Sequence, residues 1–446
     1  MVATNVQQQM QQSFQTHVDE NLLLDCMRCG FCLPSCPTYL HMEQDEAQSP
    51  RGRIALMKAV RDGIVPFDAS VEQSFDLCLG CRACEPACPA GVQYGALIEQ
   101  TREAVQEVKH ASLVEKTTRT IVFNNLFVKQ KNMQHAASLL HLYQKTGLQK
   151  AVRKIGFLNL FPKHLKTMEA SLPPVAKKVQ PLKKVKAASM KVAFFTGCLM
   201  DTLYKETNEK TVSLLQMLGV DVIIPDNQSC CGALHGHSGE LKRGKQNLIR
   251  NVELFDSDDY TYIINNAGGC GAFLKEYEKH LQSDDQYREK AIRFSEKTID
   301  ISSLLVKAGL LDYLATLPQQ PKQTLVTYQD SCHLRNVNKV FNEPRMILQA
   351  LPNVLFTELP NANTCCGSAG IYNLLQPASA NDILATKMAT IKALQPTVIV
   401  TANPGCLLQI QSGIHKEKLE SSMHASHIVD FIYKSIENCS KIAKIY

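Results

Sequence analysis

The chain has no uninterrupted apolar run of 18 residues, so a transmembrane helix is not expected. Its opening stretch, MVATNVQQQMQQSFQTH, has neither a basic start nor an apolar segment, so a secretory signal is not expected either. No G-x-G-x-x-G follows a strand-like run, and G-x-x-x-x-G-K-[ST], H-E-x-x-H and G-x-S-x-G are all missing. These absences leave no fingerprint for a dinucleotide, no P-loop, no zincin helix and no nucleophile elbow. Glycine (22) and proline (19) are ordinary for 446 residues, which excludes collagen-like and low-complexity readings. A net charge of +6 is too mild to imply nucleic acid. With 45% hydrophobic and 20% charged residues the balance is globular, and the length suggests about three domains.

Cysteine is in excess, at 17 residues. A secreted disulfide scaffold is small, and this chain is not. Without an export signal the thiols are expected to stay reduced in the cytosol. Reduced cysteines at short fixed spacings point to metal. Eight lie between Cys26 and Cys88, eight between Cys198 and Cys406, and Cys439 stands alone in a helix-like segment, an inert surface or core thiol.

Residues 26–37 read CMRCGFCLPSCP and residues 78–89 read CLGCRACEPACP, each C-x-x-C-x-x-C-x-x-x-C-P. A [4Fe–4S] cube takes four soft thiolates. Three cysteines spaced by two residues wrap one cube, and the fourth, carried off by the extra residue and the proline, ligates the other. Cluster one is thus assigned Cys26, Cys29, Cys32 and Cys88, and cluster two Cys78, Cys81, Cys84 and Cys36. Structural zinc, the alternative, usually takes separated cysteine pairs rather than a doubled run ending in Cys-Pro. Between the motifs, SPRGRIALMKAV reads as an amphipathic helix; Arg51 and Arg53 are expected to be solvated cations, the alternatives being contact with a partner or support of a reduced cluster.

The C-terminal half repeats itself. Strand-like runs fall at 191–196, 220–225 and 260–265, and again at 324–329, 354–359 and 397–402, with helix-like segments between them. Cys198 and Cys332 are 134 residues apart, Cys230 and Cys365 are 135, as are Cys231 and Cys366, and Cys270 and Cys406 are 136. Two copies of one βαβ module are expected, each with a parallel sheet. In each copy one cysteine follows the first strand, Cys-Cys-Gly the second, and one the third. Ligands gather at the carboxyl ends of strands in open α/β folds, so the four are expected to converge. They are candidate cofactor-binding residues; a cluster in each module and merely structural thiols are the two readings.

These motifs resemble the cysteine-rich CCG modules of heterodisulfide reductase subunits. Together with the two-cluster ferredoxin pattern, nearly the whole chain resembles the iron–sulfur subunits of bacterial glycolate oxidases, a family related to those of anaerobic glycerol-3-phosphate dehydrogenase and of lactate utilisation. The full CCG pattern ends in C-x-x-C, whereas here Ala267 and Asn403 occupy the first of those positions. The fifth thiolate that heterodisulfide reductases use is therefore lacking.

The resemblance implies an α+β multidomain chain: a helical two-[4Fe–4S] ferredoxin-like domain (1–105), a helical segment with a basic linker (106–189), and two α/β CCG modules (190–315 and 322–446). It implies an electron-transfer subunit without turnover of its own, fed by FAD-containing subunits that oxidise glycolate to glyoxylate, with quinone as an acceptor. Alternatives are a catalytic subunit of the heterodisulfide-reductase kind, or the iron–sulfur subunit of a lactate or glycerol-3-phosphate dehydrogenase. A cytoplasmic location is expected, with peripheral contact at the inner membrane face. Residues 150–191 carry eleven Lys or Arg and one acid, Glu169, and read as a solvated tether or a dock for an anionic surface. His235, His237 and His333 flank the cysteine loops, as backbone-bonded loop histidines or as ligands and proton donors. Arg335 either offsets thiolate charge or faces solvent.

Overall fold

The computed structural model describes residues 2–109, 112–126, 130–160, 166, 169, 172–173, 179–185, 187, 190–318 and 323–442. Their contacts form two units. The first comprises Met1–Asn125, Gly232–Gln246 and Thr364–Ile383; the second comprises Leu126–Cys231, Asn247–Asn363 and Leu384–Tyr446.

The first unit is helical. Its frame is α1 (Val2–His17), α2 (Pro50–Arg61), α3 (Ala69–Asp76) and α4 (Tyr94–Val108). Helix α2 starts where the Ser49 hydroxyl accepts from Gly52 N and Pro50 fills the first turn, where its missing N–H costs nothing. Asp68 caps α3 by accepting from Ser70 N and Val71 N. The apolar stripes of the four helices, among them Met10, Phe14, Met57, Val60, Phe75, Leu97 and Val105, close one core. The cysteine motifs lie in the loops that leave this core.

Segments that follow the Cys-Cys pairs belong to this unit. The short helix Ala233–His237 is held by Arg102, which donates to His237 O at 2.8 Å, and by a 2.7 Å bond between His237 Nδ1 and Glu99. Arg119 pairs with Glu240 at 2.8 Å, and His235 Nε2 lies 2.9 Å from Phe123 O. Farther along, the Tyr372 hydroxyl donates to Leu77 O at 3.1 Å.

The second unit contains two four-stranded parallel sheets. One has β1 (Met190–Phe194), β2 (Val220–Ile223), β3 (Tyr262–Asn265) and β4 (Thr298–Asp300) in the order β2-β1-β3-β4. The other has β5 (Thr324–Tyr328), β6 (Val354–Phe356), β7 (Val398–Thr401) and β8 (His424–His427) in the order β6-β5-β7-β8. The identical order is the duplication anticipated from the cysteine spacing. Central strands covered on both faces are buried along their whole length and mostly apolar, as in VIVT of β7. Val192, Phe194, Ile264, Val326, Val398 and Val400 share one core with helices of both modules.

Helices Gln130–Lys145 and Leu148–Lys154 precede the sheets. Leu139, Leu142, Leu148, Ile155 and Leu160 on this segment are exposed. Parts of the basic segment 150–191, and residues 319–322, lie outside the described residues. No helix among the described residues is long and apolar enough to cross a membrane.

Candidate functional site

Cys36, Cys78, Cys81 and Cys84 line one cleft of about 300 Å³, open solvent included, with Pro37, Thr38, Arg53, Leu79 and Tyr94. Cys36 comes from the first motif and the other three from the second. The left-handed backbone at Gly80 (φ 61°), unstrained only for glycine, turns its N–H onto Cys78 Sγ at 3.4 Å. The Tyr94 hydroxyl donates to the same sulfur at 3.4 Å. Behind the cleft Arg53 is 1% exposed, with Nη1 3.9 Å from Cys36 Sγ. Its other donors reach Ser74 O at 2.5 Å, Thr38 Oγ1 at 3.1 Å and Gln48 Oε1 at 3.0 Å.

These neighbours act on the thiols in opposite directions. Burial pushes the Cys78 thiol up, but Arg53, Arg102, the Tyr94 hydroxyl and Gly80 N–H together bring it below the ordinary thiol value. Cys84 has burial and its neighbours Cys81 and Cys78 against ionisation, and is pushed well up. A bound cation at the sulfurs would reverse this second effect and deprotonate the thiols. Four soft sulfurs, N–H and O–H donors aimed at them and a buried guanidinium fit a [4Fe–4S] group.

Of the other four residues assigned from the motifs, Cys26, Cys32 and Cys88 are half-buried against the same core and Cys29 is exposed. The surroundings of the two motifs differ: Met27 and Phe31 are 68% and 67% exposed, whereas Leu79 is 7%.

In the first C-terminal module, Cys198 follows β1, Cys230 and Cys231 follow β2, and Cys270 sits in the first turn of helix Gly268–Lys275 after β3. Cys198 and Cys230 sulfurs are 3.6 Å apart. Cys231 is pushed well up by hydrogen bonding with Cys230 and then Cys270, with burial adding to it. Cys198 is raised chiefly by Cys230 and then by burial. The four sulfurs are therefore in mutual reach, and Cys198 and Cys231 among them resist ionisation until a cation joins them. Among the described residues no three His, Cys, Asp or Glu side chains are grouped to hold a single metal ion. In the second module Cys332 and Cys406 belong to the second unit, and Cys365 and Cys366 to the first.

A family described as "4Fe-4S dicluster domain" matches residues 22–92, and "Cysteine-rich domain" matches 192–275 and 326–411. Residues 114–172 match "Glycolate oxidase iron-sulfur subunit, linker region". The chain is 48% identical over 443 residues to the "Probable glycolate oxidase iron-sulfur subunit" of Bacillus subtilis (strain 168), covering 98% of this chain and 99% of the relative. The chain belongs to the glycolate oxidase iron–sulfur subunit family. It is also 30% identical to the Escherichia coli (strain K12) "Glycolate oxidase iron-sulfur subunit", over 92% of this chain and 95% of that one. "Lactate utilization protein A" of Bacillus licheniformis is 30% identical over 54% of this chain and 99% of its own length.

Membership brings iron–sulfur chemistry to the chain. Ala267, where the CCG pattern has a cysteine, is buried. Asn403, its counterpart, accepts from Gly269 N at 3.0 Å, so one module caps a helix of the other. His235 is a buried histidine bonded to backbone, and His237 pairs with Glu99. His333 lies half-buried in the helix Cys332–Asn336. Arg335 does not face solvent freely: it pairs with buried Asp330 at 2.9 Å and covers the Phe341 ring. Cys439 is a core thiol.

The expectation of solvated cations on α2 is corrected for Arg53. Arg51 does lie at the surface, paired with Glu46 at 2.6 Å. Arg53 shares the i, i+4, i+7 stripe of Met57 and Val60 and goes inward with them. That spacing was the available signal. Tyr94, which opens α4, carried no comparable signal.

Proposed function

We propose that this chain is the electron-carrying subunit of a glycolate-oxidising complex. Cys26, Cys29, Cys32 and Cys88 hold one [4Fe–4S] cube, and Cys36, Cys78, Cys81 and Cys84 the other. When bound, the cubes pass electrons singly, which splits the pair taken from a hydroxy acid by a flavin. The carrying observation is that Cys36 of the first motif shares one cleft with three cysteines of the second, the exchange a two-cube unit requires. A further cluster on Cys198, Cys230, Cys231 and Cys270 belongs to the same proposal.

The flavin, an FAD, sits on a partner subunit that converts glycolate to glyoxylate. The exposed Cys29, with Met27 and Phe31 beside it, favours the first motif as the place where that partner docks. Onward transfer to a quinone suits a peripheral position on the cytoplasmic face of a membrane. Between Glu115 and Glu169 there are ten Lys or Arg and no acid, with exposed Leu139, Leu142, Ile155 and Leu160 among them, a composition that favours an anionic lipid surface. Ala267 and Asn403 leave no fifth thiolate in either module, which favours a carrier over a disulfide-reducing catalyst.

The test is anaerobic purification of the complex and of the chain alone. Iron and acid-labile sulfide at eight or more of each per chain, and cluster reduction by glycolate only when the flavoprotein is present, are expected. Lactate in place of glycolate separates the two substrates. Zinc without sulfide, or glycolate turnover by the isolated chain, would overturn the reading.

A further inference from the structure

A guanidinium taken out of water needs a counter-charge. Arg53 is 1% exposed, and among the described residues its acceptors are a carbonyl, a hydroxyl and an amide oxygen, all neutral, besides Cys36 Sγ. Other arginines near the motifs differ: Arg51 pairs with Glu46 at 2.6 Å and Arg82 with Glu85 at 2.9 Å. Among the described residues Arg53 pairs with no carboxylate. The ionisable groups it faces are Tyr94 and the thiols of Cys78 and Cys36.

We propose that Arg53 is the buried counter-charge of the group held by Cys36, Cys78, Cys81 and Cys84, and that it raises the reduction potential of that group. The inference rests on the cluster assignment above. Reduction adds one electron and no proton, so the site becomes more negative by one charge. A fixed cation in a low-dielectric interior stabilises the reduced state more than the oxidised one. Arginine does not deprotonate in proteins, so this contribution persists across pH. Arg53 touches the ligands rather than a substrate and is a positioning and tuning residue. Among the described residues no equivalent cation stands behind the first motif, where the nearby Arg51 is neutralised by Glu46 at the surface. The two groups are therefore unequal: the buried one is easier to reduce, and electrons entering at the exposed motif run downhill to it.

The test uses the full-length chain, prepared anaerobically, with dithionite as reductant and paramagnetic resonance as readout. Wild type, Arg53→Met and Arg53→Lys are titrated alongside iron and sulfide analysis. Arg53→Met is expected to lower one midpoint by at least a tenfold change in equilibrium constant, about 59 mV for a one-electron couple, leaving the other in place. Arg53→Lys is expected to stay near wild type. Arg53→Met with full iron and both midpoints unmoved would overturn the proposal. If Arg53→Met is recovered without its iron, the lysine variant decides: loading with a wild-type midpoint supports the counter-charge, and an equally iron-poor lysine variant overturns it. Wild-type chain lacking two [4Fe–4S] signals would instead remove the cluster assignment beneath it.

Discussion

Asp300 is fully buried, and its Oδ2 has no partner among the described residues. Its other oxygen accepts from Ser302 N at 2.8 Å and caps the helix that follows β4. Burial raises its carboxyl from 3.8 to about 6. Below pH 4 the group is protonated whether folded or unfolded. Between about 4 and 6 only the folded form keeps the proton, so stability falls as pH rises through this window and stays lower above it. At 1.36 kcal/mol per unit, the two-unit rise corresponds to roughly 3 kcal/mol. Asp300→Asn retains the cap and removes the ionisation, so it is expected to stabilise the chain by up to about that amount at pH 8 and by little at pH 4.5. Urea midpoints at both pH values measure this, and an equal effect at both would refute it. The same physics explains what the sequence withheld at single residues. Spacing assigned cysteines to motifs because ligand geometry is local, and the stripe shared with Met57 and Val60 pointed Arg53 inward. It did not reveal that Asp300 is buried, because that depends on what packs over it.

At the level of elements, α2 is the most constrained piece of the first unit. Its start is fixed by Ser49 and Pro50, and Gly52 lies against the preceding turn: a Cβ there would come 1.9 Å from Glu46 O. Backbone rather than a movable side chain is in the way, so Gly52→Ala must shift the first turn, beside Arg53. Overpacking of this kind costs about 1–3 kcal/mol or more. Gly52→Ala is expected to lower the thermal midpoint and to deplete iron at the second motif before the first. Retention of full iron and an unchanged midpoint would show that the turn yields freely. Most elements were legible from the alternation of strand-like and helix-like segments: Lys205–Met217 and Pro377–Leu394 fall between strand-like runs, where helix-like segments are expected. The edge strands β4 and β8 were not. β4 is three residues long and directly follows a helix, and β8, HASH, contains no β-branched or aromatic residue other than histidine. Their positions are set by parallel pairing with β3 and β7, which no local pattern encodes.

For the whole molecule, the sequence order and the packing order differ. Residues 232–246 and 364–383 leave the two modules just after or at their Cys-Cys pairs and pack into the helical unit. Their anchors fall beside the second motif. Arg102 donates to Phe75 O at 3.2 Å, Cys78 O at 2.5 Å and His237 O at 2.8 Å, while Tyr372 reaches Leu77 O. The carbonyls immediately around Cys78 thus depend on chain that lies more than a hundred residues away. Hydrogen bonds from a charged donor contribute about 1.5–3 kcal/mol each, and an abandoned buried acceptor costs more than an exposed one. Residues 1–125 produced alone keep all eight motif cysteines but lose both returning segments. We expect this fragment to bind iron and to release it to a chelator faster than the full chain does, and Arg102→Met in the full chain to fall between the two. Loss of visible absorbance under a fixed chelator concentration follows the release directly. Equal rates for fragment and full chain would mean that the returning segments contribute nothing to the second motif, and that the helical unit is self-sufficient.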